Sequence, residues 1–348
     1  MPEQKNILVL YTELAYYTVS CFSMLAKKYD VNIHILRMPV NKSAPFQFNN
    51  LDARLHIYNA HEFDSNKLHN LCDKIKPSLI YCAGWTNKTY LDFCKIEHKK
   101  CNTLLGFDTQ WNGSIKQILG AFYSRFAIKP HFNYVFVPGK SQAQLAEKMG
   151  FKNEQIIKGA YSADVDLFKA AYDKNKPHRK VIIFVGRYSP EKGIADLCET
   201  FIDLSEKNEI NGWQLWCVGK GDYKIPHHPA LADKGFMQPK ELSDLMKEIN
   251  IFVLPSTYEP WGVVVHEFAA AGVPLLCSNK VGATEVFLKN GENGFIFNAG
   301  DKNDLRNKIK TMCNLSIAEL QHMEKISYAL GQTITPETWA DSLYKTII

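Results

Sequence analysis

Short runs of aliphatic and β-branched residues recur along the whole chain, separated by longer amphipathic stretches with the period of a helix that buries one face. This alternation implies parallel sheets covered by helices on both faces, an α/β architecture. In the first half the pattern predicts strands at Ile7–Tyr11, Val31–Leu36, Leu79–Cys82, Thr103–Phe107, Tyr134–Val137 and Gln155–Lys158. Helices are predicted between them at Tyr17–Tyr29, Asn66–Ile75, Lys88–His98, Ile115–Phe126 and Ser141–Met149. A polar stretch from Asp173 to Lys180, interrupted by Pro177, reads as an interdomain linker. A second α/β series follows, with strands at Val181–Val185, Gln214–Val218, Ile251–Leu254, Pro274–Cys277 and Phe295–Phe297. Its helices are predicted at Ile194–Lys207, Pro239–Ile249, Val263–Ala271 and Lys302–Cys313. Thr335-Pro336-Glu337 places a cap and a first-turn proline in register, so a last helix, with Asp341 in it, is expected to run to near Ile348.

A chain of 348 residues exceeds one ordinary core, and two domains are the natural division. We expect them at 1–165 and 166–334, with 335–348 forming the last helix. Hydrophobic residues make up 46% and charged residues 22%, which excludes a disordered or fibrous chain. No apolar run approaches the roughly 20 residues of a membrane span. The chain passes from Met-Pro-Glu-Gln-Lys straight into Ile7-Leu8-Val9-Leu10, so no secretory leader is expected. Nine scattered cysteines without a Cys-x-x-Cys pair read as reduced packing residues, which points to the cytoplasm. The net charge of +5 is uneven: residues 1–170 hold 21 basic against 14 acidic residues, residues 171–348 hold 20 against 22. The basic half suits a phosphorylated acceptor or an anionic membrane surface, although a modest excess is also an ordinary solvated face.

Candidate chemistry concentrates in the second half. Strand Val181–Val185 runs into Gly186-Arg187-Tyr188-Ser189-Pro190-Glu191-Lys192-Gly193. At the carboxyl end of a parallel strand such a loop faces the ligand crevice, where Arg187 and Lys192 can neutralise a diphosphate. The next feature runs from Pro255 to Pro274 and holds Glu259 and Glu267 with seven residues between them. A helix opening at Gly262 or Val263 leaves Glu259 in the preceding loop and Glu267 within the first two turns. Free N–H groups at Gly262 to Val264 then face an anion. Carboxylates there suit hydroxyl groups, and Glu267, among Val263, Val264, Phe268 and Ala271, calls for a partner.

With these residues the chain resembles glycosyltransferase family 4, enzymes of the GT-B fold. The resemblance rests on Phe184 to Arg187 with Glu191-Lys192-Gly193, Gly219-Lys220-Gly221, Gly235-Phe236-Met237, and the Glu259-to-Glu267 motif with Ala269, Gly272 and Pro274. Gly282-Ala283-Thr284-Glu285 and Asn293-Gly294 complete it. The resemblance implies two Rossmann-like domains facing a cleft, acceptor in the first and donor in the second, with the last helix crossing back to the first. It implies a retaining hexosyl- or N-acetylhexosaminyltransferase that uses a nucleotide diphosphate sugar, by family frequency a UDP-sugar. The acceptor would be a glycan or lipid-linked molecule of bacterial surface polysaccharide synthesis. Gly186, Arg187 and Lys192 would hold the diphosphate, Glu259 the sugar, Glu267 the ribose and Gly235 to Met237 the base. Trp261, Gly262 and Val263 would complete the donor site, the latter two through backbone donors. No cofactor and no metal are expected, and no nucleic acid partner.

The first half matches less. The loop after its first strand, Tyr11-Thr12-Glu13-Leu14-Ala15-Tyr16-Tyr17, lacks glycine, and Asp108 after Phe107 is a catalytic candidate, in contact with the acceptor or the donor sugar, or equally a helix cap. Asp164-Val165-Asp166 spells a metal-binding Asp-x-Asp, but it precedes Leu167-Phe168 as acidic residues do at the domain junction of this family. The segment Ile115 to Phe132 mixes Lys116, Arg125, Lys129 and His131 with Phe122, Tyr123, Phe126 and Phe132. Two readings stay open for it: a peripheral contact with an anionic membrane, or a buried helix with a few exposed cations, the commoner outcome. A nucleotide-sugar epimerase and a non-catalytic nucleotide-sugar-binding subunit are the alternative functions of such an architecture.

Overall fold

In the computed structural model, which describes residues 4–39, 45–48, 51–173 and 177–347, the apolar runs form two all-parallel sheets. The first contains β1 (Asn6–Leu10), β2 (Asn32–Arg37), β3 (Leu55–Asn59), β4 (Leu79–Ala83), β5 (Asn102–Gly106), β6 (Tyr134–Val137) and β7 (Ile156–Lys158). The second contains β8 (Val181–Val185), β9 (Gln214–Val218), β10 (Leu231–Gly235), β11 (Ile251–Leu254), β12 (Leu275–Ser278) and β13 (Gly294–Phe297). Helices α1 (Tyr16–Tyr29), α2 (Ser65–Ile75), α3 (Lys88–Glu97), α4 (Ile115–Ala127) and α5 (Lys140–Lys148) connect the first set. Around the second lie α6 (Val165–Lys169), α7 (Ile194–Glu206), α8 (Pro239–Met246), α9 (Val263–Ala270), α10 (Thr284–Phe287), α11 (Lys302–Cys313) and α12 (Ile317–Gly331). The last helix is α13 (Pro336–Tyr344).

The strand orders are β3-β2-β1-β4-β5-β6-β7 and β10-β9-β8-β11-β12-β13. In each sheet the chain winds outward from its first strand, then returns and continues on the other side, which is the doubly wound Rossmann order. Both faces of the first sheet are covered, so its strands alternate between two cores. Leu8, Leu10, Ile80 and Leu105 pack toward α2 and α3 through Leu68, Cys72 and Phe93. Ile7, Val9, Leu79 and Tyr81 pack toward α1 and α13 through Phe22, Leu25, Trp339 and Leu343.

The chain divides into two compact units, with the crossing at Ser162/Ala163 and the return at Ile334. The stretch from Asp173 to Lys180, expected to be a linker, therefore falls inside the second unit, and 174–176 lie outside the described residues. The reason is α6, which precedes it: Val165 and Phe168 are buried, and the Leu167 carbonyl accepts from Ser243 Oγ at 2.9 Å. Tyr172 then stacks on Tyr328 with ring centroids 4.2 Å apart. Asp164 caps α6 by accepting from Leu167 N, and Asp166 pairs with Lys169 on the surface. Both residues of the Asp-x-Asp are thus engaged in local structure.

Thr335 caps α13 as expected, accepting from Thr338 N at 3.1 Å, and the helix packs along α1 within the first unit. Trp339 anchors it: the ring meets Phe22 edge-on at 5.1 Å and its Nε1 donates to Ala160 O at 2.8 Å. Lys28 bridges Glu337 and Asp341 at the exposed margin. All nine cysteines are unpaired and seven are buried, with burial raising the Cys72 thiol to about 12. Among the described residues no helix is long and apolar enough to cross a membrane.

Trp339→Ala removes the anchor of α13 and should lower the stability of the first unit by about 3–5 kcal/mol. Hydrogen exchange should then show faster exchange in α1, β1 and α13 with the second unit unchanged. Unaltered protection in α1 would refute the anchoring role.

Candidate functional site

In the second sheet, sequence order reverses between β8 and β11, which lie side by side in register Ile251↔Ile182. The loops leaving their carboxyl ends lie at the switch point of the strand order, where open α/β sheets bind ligands. The first loop, 186–193, ends in a tight turn at Pro190–Lys192; the second, 255–262, leads into α9. Thr257 N donates to Glu191 O at 2.8 Å and joins the two. Their close approach requires glycine at 193, where φ is 68° and a Cβ would lie 2.4 Å from Pro255 O.

Lys192 and Glu259 meet across this junction as an ion pair, with side chains only 13% and 11% exposed. Ser256 Oγ donates a further, longer bond of 3.4 Å to the same carboxylate. The backbone of Glu259 is held by Gly282 N, which donates to its carbonyl at 3.1 Å, and Trp261 O accepts from Ala283 N at 2.9 Å. Gly262 turns the chain into α9 with φ 89°, and a Cβ there would stand 2.9 Å from Glu259 Cγ. The start of α9 has no side-chain cap and no acidic residue in its first turn. Its N-terminal donors and partial positive charge are therefore uncompensated by its own side chains.

Arg187 lies on the same loop as Lys192, is 54% exposed, and pairs with Glu191 at 3.7 Å. Ser189 Oγ donates to Glu191 at 2.7 Å, and this bond, with the Glu191 N–H and the Arg187 charge, holds that carboxyl below its usual value. Gly186 closes β8, and its N–H donates to Val218 O at 3.0 Å. Gly235 ends β10 at the same edge of the sheet, where Asp233 accepts from both Gly235 N and Tyr188 OH. Phe236 and Met237 follow it, half-buried.

Glu267 occupies the second turn of α9 and is partly exposed. Burial pushes its carboxyl up to about 8, and the neighbouring charge of Asp164 adds to the effect. The partner that its greasy surroundings called for is thus replaced by a second carboxylate. Trp261 is 2% exposed, with an indole N–H that has no hydrogen-bond partner among the described residues, so its ring serves as packing beneath the loop. Val263 is buried as well.

One residue that the pattern does not single out is His266, fully buried on α9. Its Nδ1 accepts from Ala163 N at 2.9 Å, which leaves the proton on Nε2 to donate to Gly331 O at 2.9 Å. The ring stacks on Phe287 at 4.0 Å. It ties α9 to the start of the second unit and to the end of α12, contacts between residues too far apart in sequence to be read locally.

Asp108 belongs to the first unit, half-buried in the loop after β5, where its charge acts on Tyr11, Tyr17 and Tyr161. It is not a helix cap: Ser114 fills that role for α4, accepting from Gln117 N at 3.3 Å. The structure thus brings Lys192, Glu259, Gly262 and Val263 together, with Arg187, Glu267 and Gly235 on the same edge of the same unit.

The fold is that of the GT-B glycosyltransferases, two Rossmann-like domains. The structure of Anabaena HepE in complex with UDP and glucose is similar over 99% of both chains, with a TM-score of 0.73 at 16% identity. Residues 169–329 match the family model of Glycosyl transferases group 1. The chain is 32% identical over 124 residues to the uncharacterized glycosyltransferase MJ1607 of Methanocaldococcus jannaschii, covering 33% of this chain and 31% of that protein. It is 28% identical over 164 residues to the capsular polysaccharide biosynthesis glycosyltransferase CapM of Staphylococcus aureus, covering 44% and 42%. The chain thus spans 31% and 42% of the length of these two relatives.

Two outcomes follow from the charges. With its folded-state value above the usual 4.5, Glu267 favours the neutral form, so its contribution is fully present below pH 4.5 and lost as the pH rises through about 8. Glu267→Gln should therefore raise stability at pH 9 by about 2 kcal/mol, after allowance for partial solvent screening, and leave it unchanged near pH 4. Denaturant titrations at the two pH values measure this; equal curves at pH 9 would contradict it. Lys192→Met strips a nearly buried carboxylate of its counter-charge, so the double variant Lys192→Met/Glu259→Gln should recover about 2 kcal/mol relative to the single one. Additive losses in the double-mutant cycle would show the pair to be uncoupled.

Proposed function

We propose that the protein is a retaining glycosyltransferase, hexosyl or N-acetylhexosaminyl in type. It moves a sugar from a nucleotide diphosphate donor, a UDP-sugar, to a glycan or lipid-linked acceptor of bacterial surface polysaccharide synthesis in the cytoplasm. The observation that carries this reading is the Lys192–Glu259 pair beside the uncapped start of α9, at the strand-order reversal of the second sheet. The family match over residues 169–329 and the named relatives support it.

In this reading Lys192, Arg187 and the N–H groups of Gly262 and Val263 receive the negative charge that builds on the departing diphosphate. These groups meet that charge by themselves, so the reaction requires no metal. Glu259 accepts from hydroxyls of the transferred sugar, a charge-assisted contact, and the carboxyl of Glu267 hydrogen-bonds the ribose hydroxyls. The bond from the anomeric carbon to the diphosphate breaks as the acceptor oxygen bonds to that carbon on the same face. The acceptor's proton passes to the departing phosphate oxygen. Asp108 is assigned to contact with the acceptor or the donor sugar.

The test combines a thermal-shift titration with UDP and measurement of UDP release from UDP-sugars with glycan acceptors. UDP should raise the melting temperature in proportion to the logarithm of its concentration above Kd. Lys192→Ala and Glu259→Ala should each reduce transfer by about a hundredfold or more in protein that remains folded by circular dichroism. Near-normal turnover in both variants refutes the site. Conversion of donor without any acceptor would mark an epimerase, and UDP binding without turnover a binding subunit.

A further inference from the structure

Helix α4 is turned inside out relative to an ordinary surface helix. Its large apolar side chains face solvent: Ile115 is 77% exposed, Ile118 50%, Leu119 65%, Phe122 60%, Tyr123 69% and Phe126 69%. At about 100° per residue these six positions fill one arc of the helix, roughly 140° wide. The opposite arc is narrow and made of small groups. Ala121 and Ser124 are the buried residues of α4, and Ser124 Oγ turns back to donate to Gly120 O at 2.8 Å. Arg125 Nε ties the helix to α5 by donating to Lys148 O at 3.0 Å. Phe122 and Phe126 meet edge-on at 5.4 Å, so the face is ordered against itself and uses no neighbouring core.

Scattered exposed hydrophobics are ordinary, but six on one helix face form a contiguous patch of the kind that marks a docking surface. The charge around it selects the occupant. From 109 to 146 the chain contains no aspartate or glutamate, while Lys116, Arg125, Lys129 and Lys140 carry positive charge. Lys116 in the first turn of α4 and Lys129 two residues beyond its end flank the apolar face.

We infer that α4 is a membrane-docking helix, which lies in the plane of an anionic bilayer with Phe122, Phe126 and Leu119 among the acyl chains and the lysines at the headgroups. A long aromatic and aliphatic arc supplies the apolar term, and basic residues from a stretch of sequence without acids supply attraction to the lipid phosphates. This inference is independent of the sugar-transfer reading, since it rests on a face of the first unit.

Flotation of the full chain tests it, with phosphatidylcholine vesicles with and without about a third phosphatidylglycerol. The protein should float with the anionic vesicles and far less with the neutral ones. Phe122→Ser/Phe126→Ser should weaken partitioning at least tenfold, and Lys116→Glu/Lys129→Glu should abolish the preference for anionic lipid. Because Phe122, Phe126 and Lys116 are exposed and Lys129 is half-buried, melting temperature and the response to UDP should stay those of the unaltered protein. Absence of flotation, or flotation equal in all variants, overturns the inference. So does a dimer in solution that Phe122→Ser/Phe126→Ser converts to monomer, which would make the face a contact between copies of this chain.

Discussion

The pairing of β8 with β11 is the constraint on which the second unit depends. Their paired positions Ile182 and Ile251 are 69 residues apart in the chain, with β9 and β10 wound out on one side between them, yet the strands are neighbours in the sheet. Their adjacency brings a lysine from one loop against a glutamate from the other, at the carboxyl ends of the strands where the strand order reverses. Every other feature of the site is a support for that meeting: Gly193 lets the loops touch, Thr257 joins them, and Gly282 fixes the glutamate backbone.

Much of this was legible in the chain because the signals are local. Apolar runs marked β8, β9 and β11 at their observed bounds, and Thr335-Pro336 marked the start of α13. What escaped were elements whose form is set by tertiary contact. β3 and β10 are edge strands with half-exposed patterns, Leu-His-Ile-Tyr-Asn and Leu-Ala-Asp-Lys-Gly, which lack a continuous apolar run. Helix α12 begins with a capping box at Ser316 and Glu319, a readable signal that the surrounding mixed polarity obscured. Helix α6 is too short to show a period, and its burial of Phe168 is what moves the crossing between units earlier than the polar stretch suggested.

At the site, the identity of Lys192 and Glu259 was legible while their contact was not, because spacing within each loop carries no information about the other. The same holds for His266, whose two hydrogen bonds reach 103 and 65 residues away. Helix α4 shows the complementary limit. Its composition announces an apolar face, but a periodic pattern is the same whether that face points into a core or out to solvent. Only the packing of Ala121 and Ser124 decides the direction.

The charges of the second unit also have a common logic. Lys192 and Glu259 compensate each other at low exposure, while Glu267 sits beside Asp164 with its carboxyl pushed up to about 8. Burial of charge in this manner works against folding, since hydrophobic groups of similar volume would pack at lower cost. On the proposed reading the cost has a use. A diphosphate arriving at the start of α9 competes for Lys192 and releases the Glu259 carboxylate toward sugar hydroxyls, and a ribose hydroxyl gives Glu267 a donor in place of a like charge. Binding energy thus includes the relief of interactions that the unliganded site holds in an unfavourable state, and the same groups that weaken the empty fold strengthen the occupied one.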